Sequence, residues 1–490
     1  MHIHFVGVSG SGMASLAGLL ASMGHRVTGS DSAFHPPMGP ALEAWGVETA
    51  IGYDASHLTP APDLVVVGNV CTRDNPEAQA ARLSQANVVS MPEAIERLLL
   101  QGRPGYVICG SHGKTTASSL VAHLLTAAGL RPGFLIGGMP LNFEQGFLYG
   151  NPTAPFIIEG DEYDSAYFEK QPKFWRYPAE AALLTSVEHD HIDIYPTMAA
   201  YREAFLGFVQ RMPRSGVLVA NAGDREVREL AKYAPCRVIY YGMHGQNLGG
   251  IDPLWMAAPA GGLHGQVHFD LFAGGTLCGR VASPLLGNHN ILNAVGAMAM
   301  AAHAADAPIS GLIRSLRTFR GVKRRQELLG VADGVFVYDD FAHHPSAVKS
   351  TLEGLREKHP TGKLVAIFEP RSATACRNLH QDVYPEAFCA SDFAILAPLG
   401  RMNIPENERL DIDRLARAIG SSCTPLNVQE IIREACDHVS EGDAIVIMSN
   451  GMFDNLHDRL LVALSMRARA RRGAVAREVS QQLNIEIADS

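Results

Sequence analysis

At 490 residues, 47% hydrophobic and 19% charged, the chain is too long for one hydrophobic core and too apolar to be disordered, so about two to four domains are expected. Its 41 basic and 50 acidic residues give a net charge of −9, which argues against a nucleic-acid partner, and no run of about 18 apolar residues is available to span a bilayer. The eight cysteines are scattered, without a CxxC pair, and no basic segment followed by an apolar one opens the chain, so reduced thiols and a cytoplasmic compartment are expected.

In chain order, an apolar strand at His2–Val8 runs into Gly7, Gly10 and Gly12, and a helix is predicted from Met13 to Met23. Strands at Arg26–Gly29, ending at Ser30-Asp31, and at Leu64–Val67, ending at Gly68-Asn69, alternate with helices. That pattern implies a parallel sheet with right-handed crossovers and ligands at the carboxyl ends of its strands. The glycine loop is not GxGxxG, which disfavours a NAD site, although a diphosphate can still sit on the helix N-terminus. This first domain is assigned residues 1–103.

A second domain, 104–322, opens with the strand Tyr106–Cys109, the loop Gly110-Ser111-His112-Gly113-Lys114-Thr115-Thr116 and a helix to about Gly129. Strands follow at Phe156–Ile158 and Ala181–Thr185, then a β-rich excursion with hairpin turns over 245–279, and a helix after Asn288. A third domain, 323–468, carries strands at Val335–Tyr338, Leu364–Phe368, Phe393–Ala397 and Ala444–Met448. The tail, 469–490, is expected as a surface helix or frayed end, and the RARARR cluster before it as a solvated face.

The strongest chemical signal is GSHGKTT at 110–116. A glycine turn between strand and helix aims backbone N–H groups and the helix dipole at phosphate oxygens. Lys114, expected on a solvent-facing loop, adds a point charge for the β/γ-phosphates, and the Thr115 hydroxyl can ligate Mg²⁺. Only two residues separate Gly110 from Gly113, fewer than in a general P-loop. Two strand ends carry Glu159-Gly-Asp161-Glu162-Tyr-Asp164 and Glu188-His189-Asp190-His191, a set suited to one or two Mg²⁺ ions beside a phosphate loop. Asn290 and Asn293 lie one helical turn apart, and an amide offers donor and acceptor together to an adenine edge. Arg324-Arg325 can clamp phosphate, and the Asp340 carboxylate in Asp339-Asp340-Phe-Ala-His343-His344-Pro345 can take ribose hydroxyls.

Together and in this order, the short phosphate loop, the ExDE segment, Asp190-His191-Ile192-Asp193, the HNxxN helix, the paired arginines and the DDxxHHP turn resemble the Mur ligase family of bacterial cell-wall synthesis. The resemblance implies an α/β protein of three domains: a parallel-sheet domain that binds a UDP-sugar, a central P-loop ATPase and a C-terminal Rossmann-like domain that closes over the site. It also implies an ATP-dependent ligase that activates a carboxylate as an acyl phosphate. On that likeness Lys114, His191 and Arg325 are the catalytic residues, Thr115, Glu159 and His191 the magnesium ligands, and Asn290, Asn293, Arg325 and Asp340 join the loop residues Gly110 to Thr116 in holding ATP. The UDP-sugar is expected at Gly10, Ser11, Gly12, Met13, Ser30 and Asp31, in a loop where Ser9 stands for a glycine usual in the family. Several stretches resemble the branch that attaches L-alanyl-γ-D-glutamyl-meso-diaminopimelate to UDP-N-acetylmuramate. They are Gly133–Phe143, Asp161–Asp164 with the YFEKQPKFWRY insertion at 167–177, Phe368–Ser372 and Met448–Gly451. The branch that adds L-alanine usually has Ser where Tyr163 stands and lacks the insertion. The tripeptide is then expected to meet Arg371 and Ser372.

Overall fold

The computed structural model describes residues 1–84, 86–263 and 266–488, with side chains at these positions except 262–263 and 473–488. Packing divides the chain into two compact units, Met1–Leu285 with His289–Val322, and Leu286–Asn288 with Lys323–Ser490.

The first unit holds two large sheets. One is five-stranded and wholly parallel, in the spatial order Glu48–Ile51, Arg26–Asp31, His2–Val6, Leu64–Val67, Val88–Ser90. Leu64–Val67 is buried at every position, as a short apolar run must be when helices cover both faces of a parallel sheet. The helix that follows the first strand starts at Ser11, two residues before the expected Met13, and ends at Ser22. Gly10, in an extended conformation, precedes it and leaves the first N–H groups of the helix open to solvent.

The second sheet has ten strands, with Gly105–Cys109 between Phe156–Gly160 and Ala179–Leu184, all parallel. Strands at Val217–Asn221 and Arg237–Met243, which the sequence reading did not include, extend this parallel core. The excursion expected over 245–279 is an antiparallel meander of Trp255–Leu263, Gln266–Ala273 and Thr276–Ser283. A small two-stranded hairpin, Asp164–Ala166 with Glu169–Pro172, stands apart from it.

The second unit has a six-stranded sheet in the order Glu327–Ala332, Val335–Asp340, Ala444–Met448, Leu364–Phe368, Phe393–Leu396, Ser422–Cys423, antiparallel only at its first pair. A helix at Leu456–Ala488 takes in most of the expected tail, whose last two residues lie outside the described ones. The basic cluster is not simply solvated: Arg467 and Arg471 both meet Asp333 Oδ2, at 2.6 and 3.1 Å. Among the described residues no helix is long and apolar enough to cross a membrane, and all eight cysteines are free.

Candidate active site

The strand Gly105–Cys109 delivers the chain to a turn that only glycine can make at two points. Gly110 has φ +136°, and a Cβ there would lie 2.1 Å from Thr185 Oγ1; Gly113 has φ +83°, and a Cβ would lie 2.5 Å from Asn293 Oδ1. The loop is pinned from below, since Thr185 Oγ1 donates to the His112 carbonyl (2.6 Å) and Ser111 N to the Ser186 carbonyl (2.9 Å). Ser111 Oγ donates to the Glu188 carbonyl and His112 Nε2 meets Glu188 Oε2 at 3.0 Å. The helix Lys114–Ala127 starts at once behind Gly113, so its free N–H groups and positive dipole end face the turn.

Lys114 is the first residue of that helix rather than part of a solvent-facing loop, and its side chain is only 13% exposed. Its Nζ donates to the Gly110 carbonyl and to Glu162 Oε2, both at 2.8 Å. Glu162 is fully buried and also accepts from His191 Nε2 and Tyr201 Oη at Oε1, each at 3.1 Å. Burial would raise the Glu162 pKa, but Lys114 and His191 outweigh it and hold the carboxylate at about 2. Burial likewise works to discharge His191, yet Glu162 prevails and raises its pKa. The result is a buried carboxylate shared by Lys114 and His191. Glu162 was read only as one of a set of carboxylates suited to magnesium, not as the partner of Lys114, and Tyr201 was not singled out. Tyr201 lies 90 residues from its partner Ser111 and carries no local signal.

Thr115 Oγ1 donates to Glu159 Oε2 at 3.3 Å, and Gly137 N donates to Glu159 Oε1 at 2.9 Å. Of the three expected metal ligands, the structure therefore places Thr115 against Glu159, whereas the imidazole of His191 is engaged by Glu162. Asn290 and Asn293 are buried and bonded to each other (3.1 Å), and Asn293 packs against the phosphate loop at Gly113.

At the first sheet, Ser9 N donates to Asp31 Oδ2 (2.8 Å) and Ser9 Oγ to the Ala33 carbonyl (2.8 Å), so the serine that replaces a family glycine stitches the loop to the next strand. Asp31 also accepts from Ser32 N and Tyr53 Oη. Gly10 and Ser11 are exposed, Gly12 is half-buried and Met13 buried. Ser30 is fully buried and supports the loop through its carbonyl, which accepts from Gly7 N and Val8 N.

In the second unit Asp340 is buried, and its two oxygens accept from Gln326 N and Ala342 N, each at 2.7 Å. Burial raises its pKa against the pull of Arg325. The Arg325 guanidinium lies 4.9 Å over the Phe341 ring. Arg324 is tied to Asp339 (3.1 Å) and to the carbonyls of Ser449 and Gly451. Arg371 lies across Gly451, where a Cβ would be 2.4 Å from its Cδ, and leaves 45% of its side chain exposed. Its Nη1 donates to Glu369 Oε1 at 3.3 Å, and Ser449 Oγ donates to Glu369 Oε2 at 2.5 Å. Ser372 Oγ accepts from Ala375 N.

Family models match in succession along the chain: "Mur ligase family, catalytic domain" over residues 2–103, "Mur ligase middle domain" over 108–301 and "Mur ligase, glutamate ligase domain" over 324–451. The UDP-N-acetylmuramate–L-alanyl-γ-D-glutamyl-meso-2,6-diaminoheptandioate ligase of Escherichia coli (strain K12) is 35% identical over 476 residues, covering 96% of this chain and 100% of the relative. The UDP-N-acetylmuramate–L-alanine ligase of Rubrobacter xylanophilus is 34% identical over 397 residues, covering 81% and 83%. The crystal structure of a murein peptide ligase from Psychrobacter arcticus 273-4 matches with a TM-score of 0.70 and 34% identity, over 95% of this chain and 99% of that one. With its phosphate loop, its parallel sheets and these three successive matches, the chain belongs to the Mur ligase family.

Proposed function

We propose that this protein is an ATP-dependent ligase that joins UDP-N-acetylmuramate to the free amine of L-alanyl-γ-D-glutamyl-meso-diaminopimelate, in the cytoplasm, as a step of peptidoglycan recycling. The observation that carries this reading is the full-length likeness to a ligase of that printed specificity, at 35% identity over 96% of the chain.

A carboxylate is a poor electrophile, so the lactyl carboxylate of the UDP-sugar first attacks the γ-phosphoryl group of ATP. Lys114, held by Glu162 and the Gly110 carbonyl, places its charge beside the helix N-terminus, where negative charge develops on the transferring group. The rigid glycine turn keeps the N–H groups aimed without reorganisation. The peptide amine then attacks the acyl phosphate, and phosphate leaves. Asn290 and Asn293 would meet the adenine, and Arg325 and Asp340 the phosphates and ribose. Gly10, Ser11, Gly12, Met13 and Asp31 would hold the UDP-sugar, and Arg371 and Ser372 the peptide.

The donor set fits magnesium. Two hard oxygens, Thr115 Oγ1 and Glu159 Oε2, lie 3.3 Å apart and would hold the ion. Mg²⁺ held there would supply charge neutralisation on the phosphate oxygens. His191 Nε2 is engaged by Glu162, so His191 would add to the set through its other ring nitrogen or after releasing Glu162.

ADP release, measured with ATP, UDP-sugar and peptide each omitted in turn, tests the reading. Turnover should require all three. ADP release that is indifferent to the UDP-sugar or the amine would reduce the protein to a nucleotide-binding ATPase.

A further inference from the structure

The ligase chemistry makes no use of the insertion at 167–177, yet this segment is unusually well connected. At its base Lys173 Nζ meets Asp161 Oδ2 at 3.2 Å and lies 4.0 Å over the Tyr163 ring, whose neighbour at 5.4 Å is the ring of His191. From there the hairpin Asp164–Ala166/Glu169–Pro172 reaches the lobe built on the five-stranded sheet. Asn69, just past the strand Leu64–Val67, donates through Nδ2 to Asp164 Oδ1 at 2.8 Å. Ser90 Oγ donates to Glu169 Oε2 at 2.5 Å. Arg176 meets Glu169 at 2.6 Å and bridges to Glu96 at 3.5 Å and Glu93 at 3.7 Å. Tyr167 and Phe168 pack against the cluster of Val6, Val65 and Val67. One end of the insertion therefore touches Asp161 and Tyr163, on either side of the Glu162 that holds Lys114, and the other touches the carboxyl edge of the sugar-binding sheet.

Magnitudes separate a brace from a positioning device. Arg176 is 37% exposed and Glu96 41%, and ion pairs of that exposure contribute about 0–1 kcal/mol to stability. An apolar contact, Trp45 edge-on to Phe147 at 4.9 Å, already joins the same two lobes. Beside the fastening residues opens a groove of about 880 Å³ lined by Glu93, Glu96, Arg97 and Arg176 among others, so the lobes are not packed solid there. Phosphoryl transfer, by contrast, is steep in geometry, with about 1 Å of misplacement costing on the order of 100-fold in rate.

We infer that the Asp164–Pro172 hairpin with Arg176 is a positioning element: it sets the sugar-binding lobe against the phosphate loop, so that the carboxylate arrives in line with the γ-phosphoryl group. The inference rests on the ligase reading above. Arg176 and Glu169 are its fasteners. They act on the reaction through the lobe they hold.

The test compares wild type, Arg176→Ala and Arg176→Lys by steady-state kinetics, thermal melting and hydrogen exchange. Arg176→Ala should lower kcat/KM for UDP-N-acetylmuramate about 10-fold, chiefly through kcat, leave KM for ATP within about twofold, and barely move the melting temperature. Exchange should quicken in residues 88–100 and 164–172, and Arg176→Lys should recover part of the loss. An unchanged kcat/KM for the UDP-sugar in an active enzyme overturns the inference alone. So does a parallel rise in both KM values with a lowered melting temperature, which marks a mere brace. A wild type that shows no turnover with UDP-N-acetylmuramate overturns the ligase reading, and the positioning role with it.

Discussion

Lys114 and Glu162 form an ion pair in which the carboxylate is fully buried and the ammonium nearly so. Removing one partner leaves the other's charge uncompensated, at a cost of about 3–5 kcal/mol. Lys114→Ala should therefore abolish ADP formation and also lower stability, measured by chemical denaturation. Lys114→Ala combined with Glu162→Gln should regain most of the stability but none of the activity. A single mutant with near-normal turnover would remove Lys114 from the phosphate site. The same pair sets a pH dependence. Glu162 falls from an ordinary 4.5 to about 2 in the folded state, so its contribution is full above pH ~4.5 and is lost as pH falls toward 2. The contribution is of order 3 kcal/mol by linkage. The stability gap between wild type and Glu162→Gln should close over that acid range. A gap that is constant with pH would mean that Glu162 is not ionised in the native protein.

The phosphate loop was legible because its signal is local: an apolar strand, glycines at fixed offsets and a lysine opening a helix lie within a dozen residues. Gly113→Ala should then disturb one element in a defined way. A Cβ in the left-handed region costs about 1–2 kcal/mol, and here it also strikes Asn293 at 2.5 Å, so both stability and ATP affinity should fall. The carboxylate cluster was legible only as composition. Glu159, Asp161, Glu162 and His191 were all seen near strand ends, but which carboxylate faces Thr115 and which faces Lys114 depends on how neighbouring strands align. Glu159→Ala and His191→Ala should each raise the magnesium requirement, less than additively in combination. Small and fully additive effects would make both surface residues. The hairpin at 164–172 escaped the reading because a polar two-stranded ribbon shows neither apolar alternation nor a continuous apolar run. The strand Val217–Asn221 did carry such a run and was overlooked. The helix expected from Met13 starts at Ser11 because Gly12, read as loop, lies inside it.

For the whole molecule, the α/β architecture with parallel sheets followed from strands and helices alternating in order, and the structure has it. Identity alone does not choose between the two candidate acceptors, since the relatives that use the tripeptide and L-alanine stand at 35% and 34%. Coverage and the insertion favour the tripeptide. Arg371, exposed and packed against Gly400 and Gly451, is the group proposed to meet its carboxylates. Arg371→Ala should weaken tripeptide use by about 10-fold or more while KM for ATP is kept. The most direct measurement is the ratio of kcat/KM for L-alanyl-γ-D-glutamyl-meso-diaminopimelate to that for L-alanine, taken from ADP release at saturating ATP and UDP-N-acetylmuramate. The account predicts a ratio of about 100 or more, because remote binding energy from the longer acceptor is used to place its amine. A ratio near one, or one that favours L-alanine, would contradict it.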